Sequence, residues 1–560
     1  MKKTFLLSCL MLAAMPVMAA YTGRVYVDKN KNGVFDPGEK TWAGIKVSDG
    51  LNVVETAADG SFTLPGHERE RFIFITTPSG YKTFNRHYHK IEKKQSGYDF
   101  GLIPYSGRIR KDGSHRYIHI TDTEIFNTEN HADWVNNVHD YARNEQAAFI
   151  IHTGDICYEK GLKAHIKLMN TENMDCPVFY CIGNHDLVKG KYGEELFESI
   201  YGPVYYSFDA GNVHYVVTPM PGGDHAPGYT SDDVCRWLKN DLAHIRPGTP
   251  VVVFNHDLLT YEDTFIFKSK NAGSINLNEY NLKAWVYGHW HINYMKKQGD
   301  VYSVCTSSLD KGGIDHSTTA FRVMHVDSKG DFTSELRYTY LDKNICIASP
   351  AGVMASGVLP VAVNVYSSVS PVREVLYTCL ADGKPVLKNK RLLQSTDWSW
   401  NGELPLSHKY VGKELTLRVT ARFNNGEIAE AESNFICRTE KTVPLFSADW
   451  DNLSGNAKHS APVSAPLNLP LQLAWTNNVG ANLYMTSPLI HKGKVIVASV
   501  DEDLKGAGHV YALNGKDGTI LWSCPVRNSI KNSIAVDSGI VFAQDAQGFL
   551  YAIDTETGKL

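Results

Sequence analysis

The stretch VFYCIGNHD, Val178 to Asp186, runs five apolar or weakly polar residues into a glycine and then into Asn184, His185 and Asp186. Its length and lack of alternation describe a strand covered on both faces, which is the texture of an α/β fold. The same device recurs on either side. RYIHITDTE ends in Asp122 and Glu124, AFIIHTGD in Asp155, VVVFNH in His256, and AWVYGHWH in His289 and His291. Helical candidates, 131–143 and 161–170, lie between the first three strands. Ligands of α/β sheets bind outside the carboxyl ends of strands, so five strands ending in carboxylate, amide or imidazole predict donors converging at one edge. One such ending is unremarkable; five in series are hard to attribute to chance.

The flanks have a different rhythm. Residues 21–105 alternate apolar and polar positions between Gly, Asp and Asn turns, which predicts a small β-sandwich, similar to transthyretin-like or adhesin B-type domains. Within it Asp28, Asn30, Asn32, Gly33 and Glu39 satisfy a calcium-loop spacing, with Asp36 as a further oxygen donor. A structural calcium ion and a plain Asx-rich turn both fit that pattern. Residues 345–440 return to alternation and predict a second sandwich, and 441–470, rich in Ser, Ala, Asn and Pro, read as a linker. In 471–560, VYALNGKDGTIL from Val510 and LYAIDTETGKL from Leu550 repeat a Tyr-Ala, apolar, polar-turn pattern. These units resemble blades of quinoprotein-type propellers, which take four to eight blades. Two are legible here, so the propeller is expected to be incomplete and no quinone is inferred.

A chain of 560 residues exceeds what one core supports. Its net charge of -4, with 21% charged residues, gives no basic tract for nucleic acid backbone. Residues 1–20 combine Lys2 and Lys3, a short apolar run and Ala19-Ala20, the pattern of a cleaved secretory signal; a lipid anchor at Cys9 is the weaker reading. No later segment is apolar enough for a membrane helix, which predicts a periplasmic, secreted or surface location. Of ten cysteines, Cys9 lies in the leader and the other nine form no CxxC pair. Cys379 and Cys437 are a conceivable disulfide, but small buried hydrophobes describe the set better, and no cysteine chemistry is expected.

The order of Asp-x-Glu, Gly-Asp, Gly-Asn-His-Asp, a lone His and Gly-His-x-His resembles the calcineurin-like metallophosphoesterase superfamily over about 112–340, in the layout of secreted bacterial members. The fold this implies is multidomain α/β plus all-β: a central α/β sandwich, flanking β-sandwiches and partial propeller repeats. The resemblance implies two divalent ions, with Mn, Fe, Zn and Mg all open. Asp155 would bridge them, Asp122 and His291 would serve the first, and Asn184, His256 and His289 the second. His185, oriented by Asp186, would stay off the metals and face the phosphate. The superfamily usually has His where this chain has Glu124, which either ligates, favouring harder ions, or turns aside and leaves the first ion weakly held.

The chemistry fits such residues. A phosphate ester repels nucleophiles and has a poor leaving alkoxide, and two cations about 3.5–4 Å apart answer both problems. The implied function is a secreted phosphoric ester hydrolase acting on a small phosphate ester or an envelope-derived one. The competing reading is an envelope- or glycan-binding scaffold with a weakened phosphoesterase domain; a quinone oxidoreductase would rest on too few blades. His152 is expected to pack beside the site, and His87 and His89 to be solvated strand residues. Asp315 and His316, in a glycine-rich loop, are candidates for the substrate pocket, and 257–281 is a long connection suited to specificity.

Overall fold

The computed structural model describes residues 20–93, 95, 97–439, 449–460 and 473–560. The leader-like segment and most of the linker lie outside the described residues. Residues 449–460 do not all behave as linker, since Trp450 pairs its backbone with Ile490 in the tail.

The strands predicted from continuous apolar runs form as His115–Ile120, Phe149–His152, Val178–Tyr180, Val251–Phe254 and Leu282–Tyr287. They do not share one sheet. The first three are parallel neighbours in a five-stranded sheet, and the last two are parallel neighbours in a six-stranded sheet. The two sheets face each other across an aromatic core, in which Phe149 stacks on Tyr117 at 4.7 Å and Phe179 on Phe208 at 3.8 Å. The donors therefore gather at the common edge of two layers.

Helices Ala132–Asn144 and Tyr158–Leu168 cover the outer face of the first sheet with Trp134, Val138, Tyr141 and Leu162. The second starts three residues before its predicted position, at the site edge. Helix Ser231–Ala243 opens with a Thr230–Asp233 capping box and buries Trp237 and Leu238, with Trp237 against Tyr205 and Phe74.

Residues 20–104 form two four-stranded sheets around Val25, Val47, Phe62, Ile73 and Phe100. In the Asp28 loop the acids are used internally. Asp28 accepts from the Asn32 and Gly33 amides, Glu39 from Lys29 and Asp36, and Asp36 from the side chains of Asn30 and Asn32. Asp28, Asp36 and Glu39 do not gather into a metal-competent group among the described residues. These internal bonds fold the loop as an Asx-rich turn.

His87 and His89 are not simply solvated. His87 lies 4.6 Å, ring to ring, from Tyr206 of the central domain, where the first sandwich docks, and His89 packs 4.7 Å from Phe100 within that sandwich.

The second sandwich pairs a four- with a five-stranded sheet, and Cys379 and Cys437 are free thiols in its core. The tail folds as a four-stranded and a three-stranded antiparallel unit sharing one core, including Leu489, Ile496, Val541 and Ile553. Among the described residues, no helix is long and apolar enough to cross a membrane.

Candidate metal centre

Each donor sits where a strand has just ended and the backbone turns sharply. Asp122, Glu124, Asp155, His289 and His291 all adopt left-handed φ, between 43° and 65°. Such backbone costs a non-glycine residue on the order of 1–3 kcal/mol, so its concentration at one edge marks a site held by its surroundings. Two glycines allow the approach. A Cβ on Gly183 would lie 2.2 Å from Asp155 Oδ1, and one on Gly288 would lie 2.0 Å from Thr121 Oγ1 and 2.7 Å from Asp122 Oδ2.

The strand ends assemble two donor groups that share Asp155. Asp122, Asp155 and His291 form one, and Asp155, His256 and His289 the other, with the ligand atoms of each group within 4.8 Å of one another. Two buried atoms beside them lack a hydrogen-bond partner, Asn184 Oδ1 and His256 Nε2. His256 Nε2 lies 3.1 Å from Asp155 Oδ2, out of line for a hydrogen bond. Its Nδ1 donates to the Thr153 carbonyl at 2.7 Å, which aims Nε2 at the cluster. Burial alone would push His256 down, but Asp155 and Asp122 outweigh it and raise it to about 9. His291 is raised too, chiefly by its contact with Asp122, against burial. Carboxylates, imidazoles and an orphaned amide oxygen around a concentrated negative field form a donor set that fits divalent ions.

Glu124 does not turn aside. Its Oε1 lies 3.6 Å from His291 Nε2, and it shares a donor group with Asp155 and Cys157. Lys311 grips it from outside, with Nζ 2.7 Å from Oε2 and 3.1 Å from the Glu124 carbonyl.

His185 lies over the cluster with its backbone amide on Asp155 Oδ1 at 3.0 Å. Its orienting partner differs from the sequence expectation. Nδ1 meets Asp224 Oδ2 at 2.9 Å, and this contact, with Asp155, raises His185 against the effect of burial. Asp186 is fully buried and faces backbone instead, accepting from Gly183, Asp155 and Cys157 at 2.8–3.0 Å. Burial and the nearby Asp155 push it up to about 7. Two adjacent residues on a tight turn point apart, so sequence adjacency misleads here. Asp224 and Lys311 escaped the sequence reading, and the one signal for either is the glycine before or after it, in PGGDH and DKGG.

His152 lies beneath the site, bonded to Gly154 and Thr123. Asp315 is engaged by the tail, Lys531 donating to its Oδ2 at 2.8 Å, and His316 sits exposed at the loop tip. The connection 257–281 folds into a hairpin of Ile266–Lys268 and Ser274–Asn276, burying Phe265 and leaving Tyr261 exposed against Trp290.

Comparison with known proteins agrees with this arrangement. A family model described as calcineurin-like phosphoesterase matches residues 115–293, which carry every donor named above. Models described as the N terminal of calcineurin-like phosphoesterase and as outer membrane protein assembly factor BamB match 29–104 and 472–560. Purple acid phosphatase 13 of Arabidopsis thaliana is 26% identical over 215 residues, 36% of this chain and 36% of that protein, so the match spans about a third of the curated relative's length. Among solved structures, a conserved uncharacterised protein of Streptococcus pneumoniae TIGR4, titled a predicted phosphoesterase, aligns at 12% identity over 40% of this chain and 90% of that one, with a TM-score of 0.21. BamB from Moraxella catarrhalis aligns at 10% identity over 42% and 53%, with a TM-score of 0.12.

Proposed function

We propose that this chain, built around a calcineurin-like phosphoesterase domain, is a phosphoric ester hydrolase using two divalent ions and working outside the cytoplasm. The observation that carries the reading is the pair of donor groups sharing Asp155, flanked by the orphaned Asn184 Oδ1 and His256 Nε2. Asp155 with Asp122 and His291 would hold one ion, and Asp155 with Asn184, His256 and His289 the other; Glu124 borders the first. Such ions supply positive charge to phosphate oxygens and the acidity that turns water into a nucleophile. The chain's own groups do the rest. His185, whose charged form Asp224 favours, donates to the leaving oxygen, and Asp186 holds the loop that carries Asp155 and Asn184.

The rim supports substrates whose alcohol carries a ring or apolar body. Tyr158 lies 5.5 Å from the His185 ring and pairs with Phe126, and Tyr261 stacks on Trp290 across the GHxH turn. Phe126, Tyr158, Tyr261 and Ile314 are all exposed, a density of apolar surface that marks recognition. Location rests on the leader pattern of residues 1–20 and is tested by N-terminal sequencing of exported protein; an uncleaved cytoplasmic product would refute it.

The test of the activity is hydrolysis of aryl and small alkyl phosphate mono- and diesters by chelated protein resupplied with Mn, Fe, Zn or Mg. Restored turnover, lost in Asp155→Asn, is expected, with aryl esters preferred. If no metal restores turnover, or if Asp155→Asn matches the parent, the hydrolase reading fails. Equal kcat/KM for aryl and alkyl esters would remove the rim from it.

A further inference from the structure

We propose that the C-terminal repeat is a working part of the metal centre, in which Asp503 and Lys531 are positioning residues for His256 and His291. This rests on the metal-centre reading above.

The first connection starts at Arg322, a fully buried cation in the strand Ala320–Val326, which pairs with His115–Ile120 in the five-stranded sheet. Its Nη1 donates to Asp503 Oδ1 and to Ser334 Oγ, each at 2.5 Å, and Asp503 is the one carboxylate that pairs with it among the described residues. A catalytic-domain charge is thus balanced by the tail. From the same guanidinium, Nε donates to Thr306 Oγ1 at 3.1 Å, and Thr306 Oγ1 lies 2.9 Å from His119 Nδ1. His119 Nε2 meets Thr153 Oγ1 at 2.7 Å, and the Thr153 carbonyl accepts from His256 Nδ1. His119 is held neutral by burial and by the Arg322 charge. With Arg322 as a fixed donor, the Thr306 hydroxyl donates its hydrogen bond to His119 Nδ1, and the Nε2–H of neutral His119 donates to Thr153 Oγ1. The donor chain runs from Arg322, which the tail's Asp503 holds by accepting from it, to the side chain of Thr153, whose carbonyl orients His256.

The second connection is Lys531. Its Nζ reaches 2.8 Å from Asp315 Oδ2, 2.7 Å from Glu502 Oε1 and 2.7 Å from the Asn293 carbonyl, two residues after His291. The Asp315 loop returns to the same place, where the Ile314 amide donates to the His291 carbonyl at 2.9 Å. Asn528 adds a bond to the Met295 carbonyl at 3.0 Å, and Leu504 packs against the core of the central domain. The segment leaving His291 is therefore held on its outer side by the tail. Hydrogen bonds one step removed from ligands fix ligand orientation, and losing one lowers metal affinity by about 10–100-fold. The Thr153 carbonyl on His256 is such a bond, and Asp503 and Lys531 act from behind it and behind the His291 turn, which sets their expected effect at the low end of that range.

The experiment uses the full chain and Co(II) alone, followed by calorimetry and visible absorption, with hydrolysis measured in parallel. Asp503→Asn and Lys531→Met are each expected to bind Co(II) at least about tenfold more weakly than the parent, with altered absorption. Arg322→Met/Asp503→Leu strands no charge, and it is expected to fold yet still bind Co(II) about tenfold more weakly. Parental affinity and spectrum in that double variant would show a merely structural interface and overturn the proposal, even if Asp503→Asn alone fails to fold. A parent that binds no Co(II) would overturn both this proposal and the metal-centre reading. A parent that binds and hydrolyses beside variants with parental binding would sink this proposal alone.

Discussion

His185 Nδ1 lies 2.9 Å from Asp224 Oδ2, in a loop 39 residues away, while its sequence neighbour Asp186 is buried among backbone amides. The two carboxylates therefore do different work. Asp224→Asn is expected to lower kcat for phosphate esters at least about tenfold with KM within about twofold, because it withdraws support from a donor used as charge develops. Asp186→Asn is expected instead to destabilise the protein by about 2 kcal/mol or more and to weaken metal binding, since a buried acceptor pair serving three amides is disrupted. Steady-state kinetics and thermal melts distinguish them; the reverse pattern would reassign both roles.

Lys311 neutralises Glu124 from the solvent side. Lys311→Met frees that carboxylate, and the site becomes more negative, so Mn or Mg is expected to bind several-fold more tightly. Glu124→His, a neutral nitrogen donor, is expected to shift preference towards Zn or Fe. Metal titrations unchanged in both variants would place Glu124 outside the centre.

Gly183 leaves no room for a side chain, because its Cβ would meet Asp155 Oδ1 at 2.2 Å and Asp155 N at 2.3 Å. Gly183→Ala is expected to cost about 1–3 kcal/mol through overpacking and to reduce metal affinity by displacing Asp155. A crystal structure with Asp155 unmoved and full metal occupancy would contradict this.

His214 is buried between Asp209 at 2.7 Å and Asp241 at 2.8 Å, far along the sheet from the donor cluster. Burial opposes its charge, but Asp241 and Asp209 prevail and raise it. A raised folded value means that its contribution is complete below the ordinary histidine value of about 6.5 and is lost as pH rises through the folded value. Thermal midpoints should fall across that window in the parent and fall less in His214→Gln. Parallel curves would show that another group sets the slope.

Much of this was legible in the chain. Apolar runs such as VFYCIG and AWVYG are too uniform for one-sided strands, and Asp122, Asp155, Asn184, His256, His289 and His291 stand where those runs stop. Alternation marked both β-sandwiches, because strands with one wet face alternate polar and apolar residues. Less legible were residues whose role depends on a distant partner. Asp315 reads from its glycine-rich loop as a pocket residue, yet a lysine more than 200 positions later claims it.

The sequence by itself determined the strands, the type and order of the donors, and the kind of ion they suit, since these follow from local periodicity and ligand chemistry. Only the tertiary structure decided that the donors come from two sheets rather than one, that Asp224 and not Asp186 orients His185, and that Glu124 stays at the cluster under Lys311. It also decided that the tail closes a buried charge on Arg322. The physical reason is common to all of these. Hydrogen bonds and ion pairs depend on which atoms are brought within about 3 Å, and that is set by how loops fold back between layers.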